Sequence, residues 1–396
     1  MLAAATTGAN PALRVLGLVV GIVLVLGTVW SVFTSLVVPR VTSSRLQRGF
    51  ARMLGSAVRR LAPVLPSYEV RDRILSFVGP VGMVLLFALW LTLLVVGFGC
   101  ILWWDAGVDF ATALGVAGSS VFTLGIATVH HSGPETFEIV AAGIGLLVIA
   151  LEIAYLPALY SAFAARETSV TLLAGRSGTP AWGPEILARA HFLDAMPELP
   201  PLYSEWERWA ATVSESHANY PALMWFRSPV SSRSWLLGLV AVMDSAALFH
   251  SCSPGIAPRE ARLCLAMGIA CLRSMAQALR IPFEVDPLPG TPIRLSRAEF
   301  GAGYSRMALW AFPFEREEEE AWRHFQGWRV NYEPIVDALT GLIVPPPAPW
   351  LLSRPELGDA EWPAVRNRTP DEPQGSQFFG TKRIVMPPER PPSSPK

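Results

Sequence analysis

Three apolar runs, each long enough to cross a bilayer, dictate most of what this chain can become. Val15 to Val38 is interrupted only by a few Thr, Ser, Gly and Trp residues, and it exceeds the roughly 20 residues that a helix needs to span the hydrocarbon core. Val81 to Trp104 is the second run, closing with Trp103 and Trp104, whose amphipathic rings suit the headgroup level. Phe137 to Phe163 is the third. A cleaved secretory signal is the competing reading of the first run. That run is too long for one, only Arg14 precedes it, and Pro39-Arg40 stands where small residues would be wanted. With 51% hydrophobic and 16% charged residues among 396, the chain is too apolar and too uneven along its length for an ordinary soluble protein.

Between the second and third runs, Phe110 to Leu124 is apolar but too short to span, and a segment of that length reads as re-entrant or buried. Ala111, Ala113, Gly115, Ala117, Gly118, Ser119 and Ser120 dominate it, and small residues permit close helix approach in a membrane. Orientation follows from arginine. The connection from Arg40 to Arg73 also contains Arg45, Arg48, Arg52, Arg59, Arg60 and Arg71, against only Glu69 and Asp72, so it should be cytoplasmic and the amino terminus outside. Asp105 to Thr136 then faces the exterior, and everything after the third span returns to the cytoplasm. Within the basic connection, Leu46, Phe50, Met53, Leu54, Val58 and Leu61 recur at helical spacing opposite the arginines. Such a helix lies in the membrane interface or packs on the cytoplasmic domain.

The stretch from Val81 to Glu167 resembles the pore module of potassium channels. There, a half-helix delivers a Thr-Val-Gly-Tyr-Gly loop whose backbone carbonyls replace the hydration shell of the ion, between two spanning helices. Thr123, Leu124, Gly125, Ile126 and Ala127 stand in the five filter places here. Leu124 replaces valine, Ile126 replaces tyrosine with its bracing hydroxyl, and Ala127 replaces the second glycine. Gly125 supplies conformational freedom at the inner position, whereas a Cβ at Ala127 resists a left-handed backbone by roughly 1 kcal/mol. The resemblance implies a homotetramer, because one half-helix per chain supplies a quarter of a filter. It also implies a monovalent cation, potassium, as the permeant species with no cofactor.

Glu152 lies in the middle of the third span, where an ionisable residue is by default a functional-site hypothesis. In a channel-like assembly, one copy per chain would ring an inner cavity; a protonated glutamate hydrogen-bonded to a neighbour is the plainer reading. Pro157 lacks a backbone donor and is the expected hinge. His130 and His131 form an exterior pair suited to a proton sensor or simply to solvent.

From Thr168 the chain turns soluble-like and helical. Helices are expected through Ala190 after Pro180-Ala181-Trp182-Gly183-Pro184, over Tyr203 to Tyr220, over Ser234 to Phe249, over Pro258 to Leu279, and from Pro313 to about Leu342. Ser234 to Phe249 is short and carries Asp244, so it is expected as a buried core helix. Cys252, Cys264 and Cys271 lack metal-ligand or disulfide-framework spacing. No enzyme motif is found. From Ile343 the chain is proline-dense, with Pro345-Pro346-Pro347, Pro387-Pro388 and Pro391-Pro392, and disorder is expected there.

The expectation is therefore an all-α multipass plasma-membrane protein with three transmembrane helices, a re-entrant pore half-helix and a cytoplasmic helical bundle. Its regions are 1–39 (first span), 40–79 (basic connection), 80–167 (pore module), 168–342 (cytoplasmic domain) and 343–396 (tail). Beyond lipid and its own copies, an unknown partner of the bundle or tail is open, and no nucleic acid is expected. The competing function is a non-conducting scaffold or sensor that keeps the channel fold and binds through its cytoplasmic domain. Alanine-rich, lysine-poor composition points to a bacterial source.

Overall fold

The computed structural model describes residues 11–38, 45–61, 68–106, 108–128, 136–288, 290–351, 378–379 and 382–383. Every described element is helical except a two-rung antiparallel pair, β1 (Phe378–Phe379) with β2 (Lys382–Arg383). His130, His131 and most of the proline-dense tail lie outside the described residues. Five helical stretches are long and apolar enough to cross a membrane by length and composition: Pro11–Leu36, Tyr68–Asp105, Thr136–Ser177, Trp235–Cys252 and Arg259–Leu279. The chain divides into two compact units, one of Met1–Ala165 with Glu215–Arg227, the other of Arg166–Ser214 with Ser228–Lys396.

In the first unit, α1 (Pro11–Leu36) packs along α4 (Val78–Asp105). Apolar side chains alone cannot hold two helices together in lipid, which is as apolar as they are; close backbone approach must do it. Gly17 and Gly21 supply one side and Gly97 the other. A Cβ on Gly21 would lie 2.6 Å from the Gly97 carbonyl, and one on Gly97 would lie 2.8 Å from Val25. A buried hydrogen bond from Trp90 Nε1 to Ser31 Oγ, 3.1 Å long, adds a polar tie lower down. Around α4, α2 (Arg45–Leu61) presents Leu54 to Gly82 and buries Val58, leaving Arg52 and Arg60 exposed. Its apolar face is thus used against helices of its own unit. The basic connection also holds a second helix, α3 (Tyr68–Ser76).

The short apolar α5 (Phe110–Val121) and the long α6 (Thr136–Ser177) follow. α6 runs for 42 residues without interruption through Pro157 and past the expected boundary at Glu167. The outward faces of α1, α4 and α6 are apolar, with Val23, Leu26, Val84, Leu146 and Ile153 all exposed.

The segment 215–227 belongs to the first unit although its sequence reads as part of the later helical domain. It carries the end of α8 (Leu199–Asn219) and the 3-10 turn Pro221–Trp225. Leu223 and Phe226 bury against Met83, Tyr155 and Leu159. Tyr220 meets Tyr155 edge-on at 5.3 Å, and Phe226 lies 5.9 Å from Tyr160 and 5.7 Å from Phe163. Arg227 closes the strap with a 2.6 Å ion pair to Asp72.

The second unit is built around α9 (Trp235–Cys252), on which α7 (Gly183–Phe192), α10 (Arg259–Leu279) and α12 (Glu318–Arg329) pack. α9 is hydrophobic all round, and 94% of its apolar window is covered by protein, as befits a central helix. Its one acid, Asp244, accepts from Tyr332 Oη at 2.6 Å and from Arg329 Nη1 at 2.8 Å. Arg329 also reaches Glu333 on α13 (Glu333–Ile343) at 2.8 Å and the Trp350 carbonyl at 2.7 Å. Burial pushes the Asp244 carboxyl above its usual range, against the pull of Arg329 and Tyr332.

Two helices differ from expectation. The stretch expected as one helix from Pro313 to Leu342 is two, α12 and α13, because Pro334 can donate no hydrogen bond and opens a new first turn. It also starts later than Pro313, since Glu315 is drawn off to accept from Gly255 N at 2.7 Å. α11 (Arg297–Leu309) was not expected, yet Ser296 and Glu299 form a capping box at its start.

Candidate pore loop

α5 is 12 residues long and begins on an Asp109 cap that accepts from the amides of Ala111 and Thr112, each at 3.1 Å. Small residues let it nest among longer helices. Ala113 and Ala117 are fully buried, a Cβ on Gly99 of α4 would come within 3.0 Å of Leu114, and one on Gly145 of α6 would land on the Val121 carbonyl. The half-helix is therefore held on both sides, which fixes the position of the chain that leaves it.

That chain is a tight turn whose amides are almost all used. Phe122 N donates to Gly118 O, Thr123 N to Ser120 O at 2.9 Å, and Leu124 N to Ser119 O at 2.8 Å. Ser119 Oγ, on a residue 4% exposed, then accepts from both Ile126 N at 3.0 Å and Ala127 N at 3.1 Å. By contrast, no described residue donates to the carbonyls from Thr123 to Thr128. Filled donors with free acceptors are what a cation requires of a backbone. The negative end of the α5 dipole lies at the same place and has the matching sign.

The backbone takes left-handed values at Thr123 (φ 53°) and Gly125 (φ 67°). Gly125 adopts this freely, whereas Thr123 does so at a cost on the order of 1 kcal/mol. Ala127 is not left-handed, and its methyl packs on the core formed with Val116, Val121 and Ala141. The Cβ expected to strain the loop is used for packing, and the strain falls on Thr123. Leu124 and Ile126 are 58% and 81% exposed.

Glu152 and Pro157 stand apart from the loop, on α6. Pro157 is exposed. Glu152 is 7% exposed and makes no hydrogen bond, with Oε1 fully covered. It faces into its own chain and not toward the open side of α6, and no described residue hydrogen-bonds it. Ser119 is the loop residue that sequence reasoning counted only as small; its signal is a hydroxyl at the end of a half-helix, one turn from the loop it braces. Among the described residues no three His, Cys, Asp or Glu side chains gather to hold a metal ion. No protein-family model, curated protein or solved structure matches this chain.

Proposed function

We propose that this is an integral membrane protein whose first unit forms a potassium-channel-like pore, assembled as a homotetramer and passing monovalent cations. The observation that carries the proposal is the loop 122–128, which uses most of its amides on α5 while no described residue donates to its consecutive carbonyls, at the negative end of a short, clamped helix. The spans would be α1, α4 and the first part of α6, with α5 re-entrant from the outside. α9 is left out because protein already covers it, and α10 because it carries Arg259, Glu260, Arg262 and Arg273. Thr123, Leu124, Gly125, Ile126 and Ala127 would line the pathway, and exposed Leu124 and Ile126 would meet neighbouring copies. Pro157 would be the hinge of α6, the plasma membrane the location, and the second unit a cytoplasmic regulator.

Purified protein reconstituted in liposomes with a potassium gradient should carry flux that Gly125→Asp abolishes. No flux from either protein, both shown to be folded, rejects conduction. The alternative, a non-conducting scaffold that binds through its second unit, draws on the inward-facing Glu152, which leaves the outer face of α6 without a charge to attract cations. The same recording separates the two.

A further inference from the structure

Glu152 is the one acid between Glu138 and Glu167, so roughly 20 Å of helix separates it from the next carboxylate in either direction. The inward residues of α6 recur as Ala141, Gly145, Val148, Glu152, Tyr155 and Leu159, spaced by threes and fours as one packed stripe demands. A glutamate in the register of that stripe is built in among apolar side chains, with its Oε1 fully covered. It is 93% covered by its own chain, being 7% exposed, and it makes no ion pair or hydrogen bond with any described residue.

No described residue pairs with it; the arginine-bearing helices α2 and α3 pack about the Gly82 end of α4, and none of their described arginines is bonded to it. α1 holds only Arg14, at its start; α4 holds Cys100 and the terminal Asp105; α5 holds none. On the first-unit part of α6 the others are Glu138, Tyr155 and Tyr160, and the strap adds Glu215, His217, Tyr220 and Arg227, of which Arg227 is already paired with Asp72. A bare carboxylate in such surroundings costs several kcal/mol, whereas a neutral acid needs no countercharge.

We propose that Glu152 is a proton-binding site in the core of the first unit, holding its proton while the stripe is packed and releasing it only when α6 moves enough to admit water to Oε1. The proton is the ligand, and Oε1 and Oε2 are the whole of its site. Pro157, five residues further on and without an amide to donate to Ile153 O, is where α6 yields most easily. The proposal rests on the membrane placement above but not on conduction.

Carbodiimides test it, because they activate a carboxyl that carries a proton. Full-length protein in liposomes is treated in parallel with an apolar reagent, dicyclohexylcarbodiimide, and a water-soluble one, and the adducts are mapped by peptide mass spectrometry. The expected result is an apolar-reagent adduct at Glu152 that is absent from Glu152→Gln. Its rate of formation should fall about tenfold per pH unit once the acid titrates. The water-soluble reagent should reach exposed Glu69 and spare Glu152. Equal labelling of both acids by the water-soluble reagent overturns the proposal and places Glu152 on a water-filled cavity. Failure of the apolar reagent to label Glu152 at any pH overturns it too. The measurement needs no flux, so a chain that does not conduct still answers it.

Discussion

A single hydroxyl organises the candidate loop. Ser119 Oγ takes two amides, Ile126 N and Ala127 N, and thereby occupies donors beside carbonyls to which no described residue donates. Ser119→Ala removes the acceptor for two hydrogen bonds without changing the packing volume much, and the expected loss is about 1–2 kcal/mol. Thermal unfolding of the purified protein should show that loss, and Ser119→Thr should restore most of it. If the loop carries ions, the alanine variant should also lose discrimination between potassium and sodium in liposome flux, a change that loss of stability alone does not produce. The loop residues themselves were legible as Thr123 to Ala127 because Gly125 and the flanking small residues mark a special backbone. The location of the strain was not. Whether a Cβ at Ala127 is a burden depends on the handedness of that one residue, and the sequence has no local sign that Thr123 takes it instead.

Elements were legible wherever an apolar run exceeded the length that water would tolerate. α1, α4 and α6 follow from that alone, and α5 from being too short. What held them together was less visible, because glycine at a helix crossing looks like glycine anywhere until its partner is known. Gly21 and Gly97 meet across α1 and α4 with no room for a methyl group. Gly21→Val should force these helices apart at a cost of roughly 1–3 kcal/mol. Gly27→Val, which meets nothing within 4 Å, should cost little. Comparing the two by thermal unfolding in the same detergent checks the crossing, and equal stability of the pair would reject it. At the other end of the scale of visibility, α11 announces itself by Ser296 and Glu299, whereas the break between α12 and α13 needed attention to Pro334 inside an otherwise continuous pattern. The strap 215–227 was hidden for a different reason. Its Tyr, Trp and Phe residues suit a soluble core as well as a membrane-facing one, and only the contacts of Phe226 and Leu223 assign it to the first unit.

At the scale of the molecule, the two units are stabilised by different physics and should fail under different conditions. In the first, α1, α4 and α5 depend on close backbone contacts among largely uncharged helices. The second buries ion pairs. Arg329 is 1% exposed, yet bonds Asp244, Glu333 and the Trp350 carbonyl, tying α9, α12, α13 and the chain beyond them to one guanidinium. Removing one partner of a buried pair typically costs 3–5 kcal/mol, because the abandoned charges stay buried; Arg329→Met should therefore unfold the second unit at a markedly lower temperature. Glu185 adds a pH dependence. Burial works to raise its carboxyl, but Arg306 and Arg189, bonded to it at 2.7 Å each, more than offset this and hold it below the ordinary glutamate range. Its folded value thus lies below its unfolded one of about 4.5, so the stability it contributes is fully present above pH 4.5 and is lost as pH falls through the folded value. His250 acts earlier. Burial and the nearby Arg262 hold its imidazole below the usual 6.5, so the unfolded chain takes up a proton before the folded one does, and acidification below pH 6.5 already favours unfolding. A full-length thermal scan from pH 7.5 down to 2 should show the second unit's transition falling in two stages. His250→Gln should remove the upper stage and leave the lower, while Glu185→Gln should do the reverse from a less stable starting point. A transition that stays level from pH 7.5 to 5 in the unaltered protein would mean that His250 is as free to take a proton in the fold as in water.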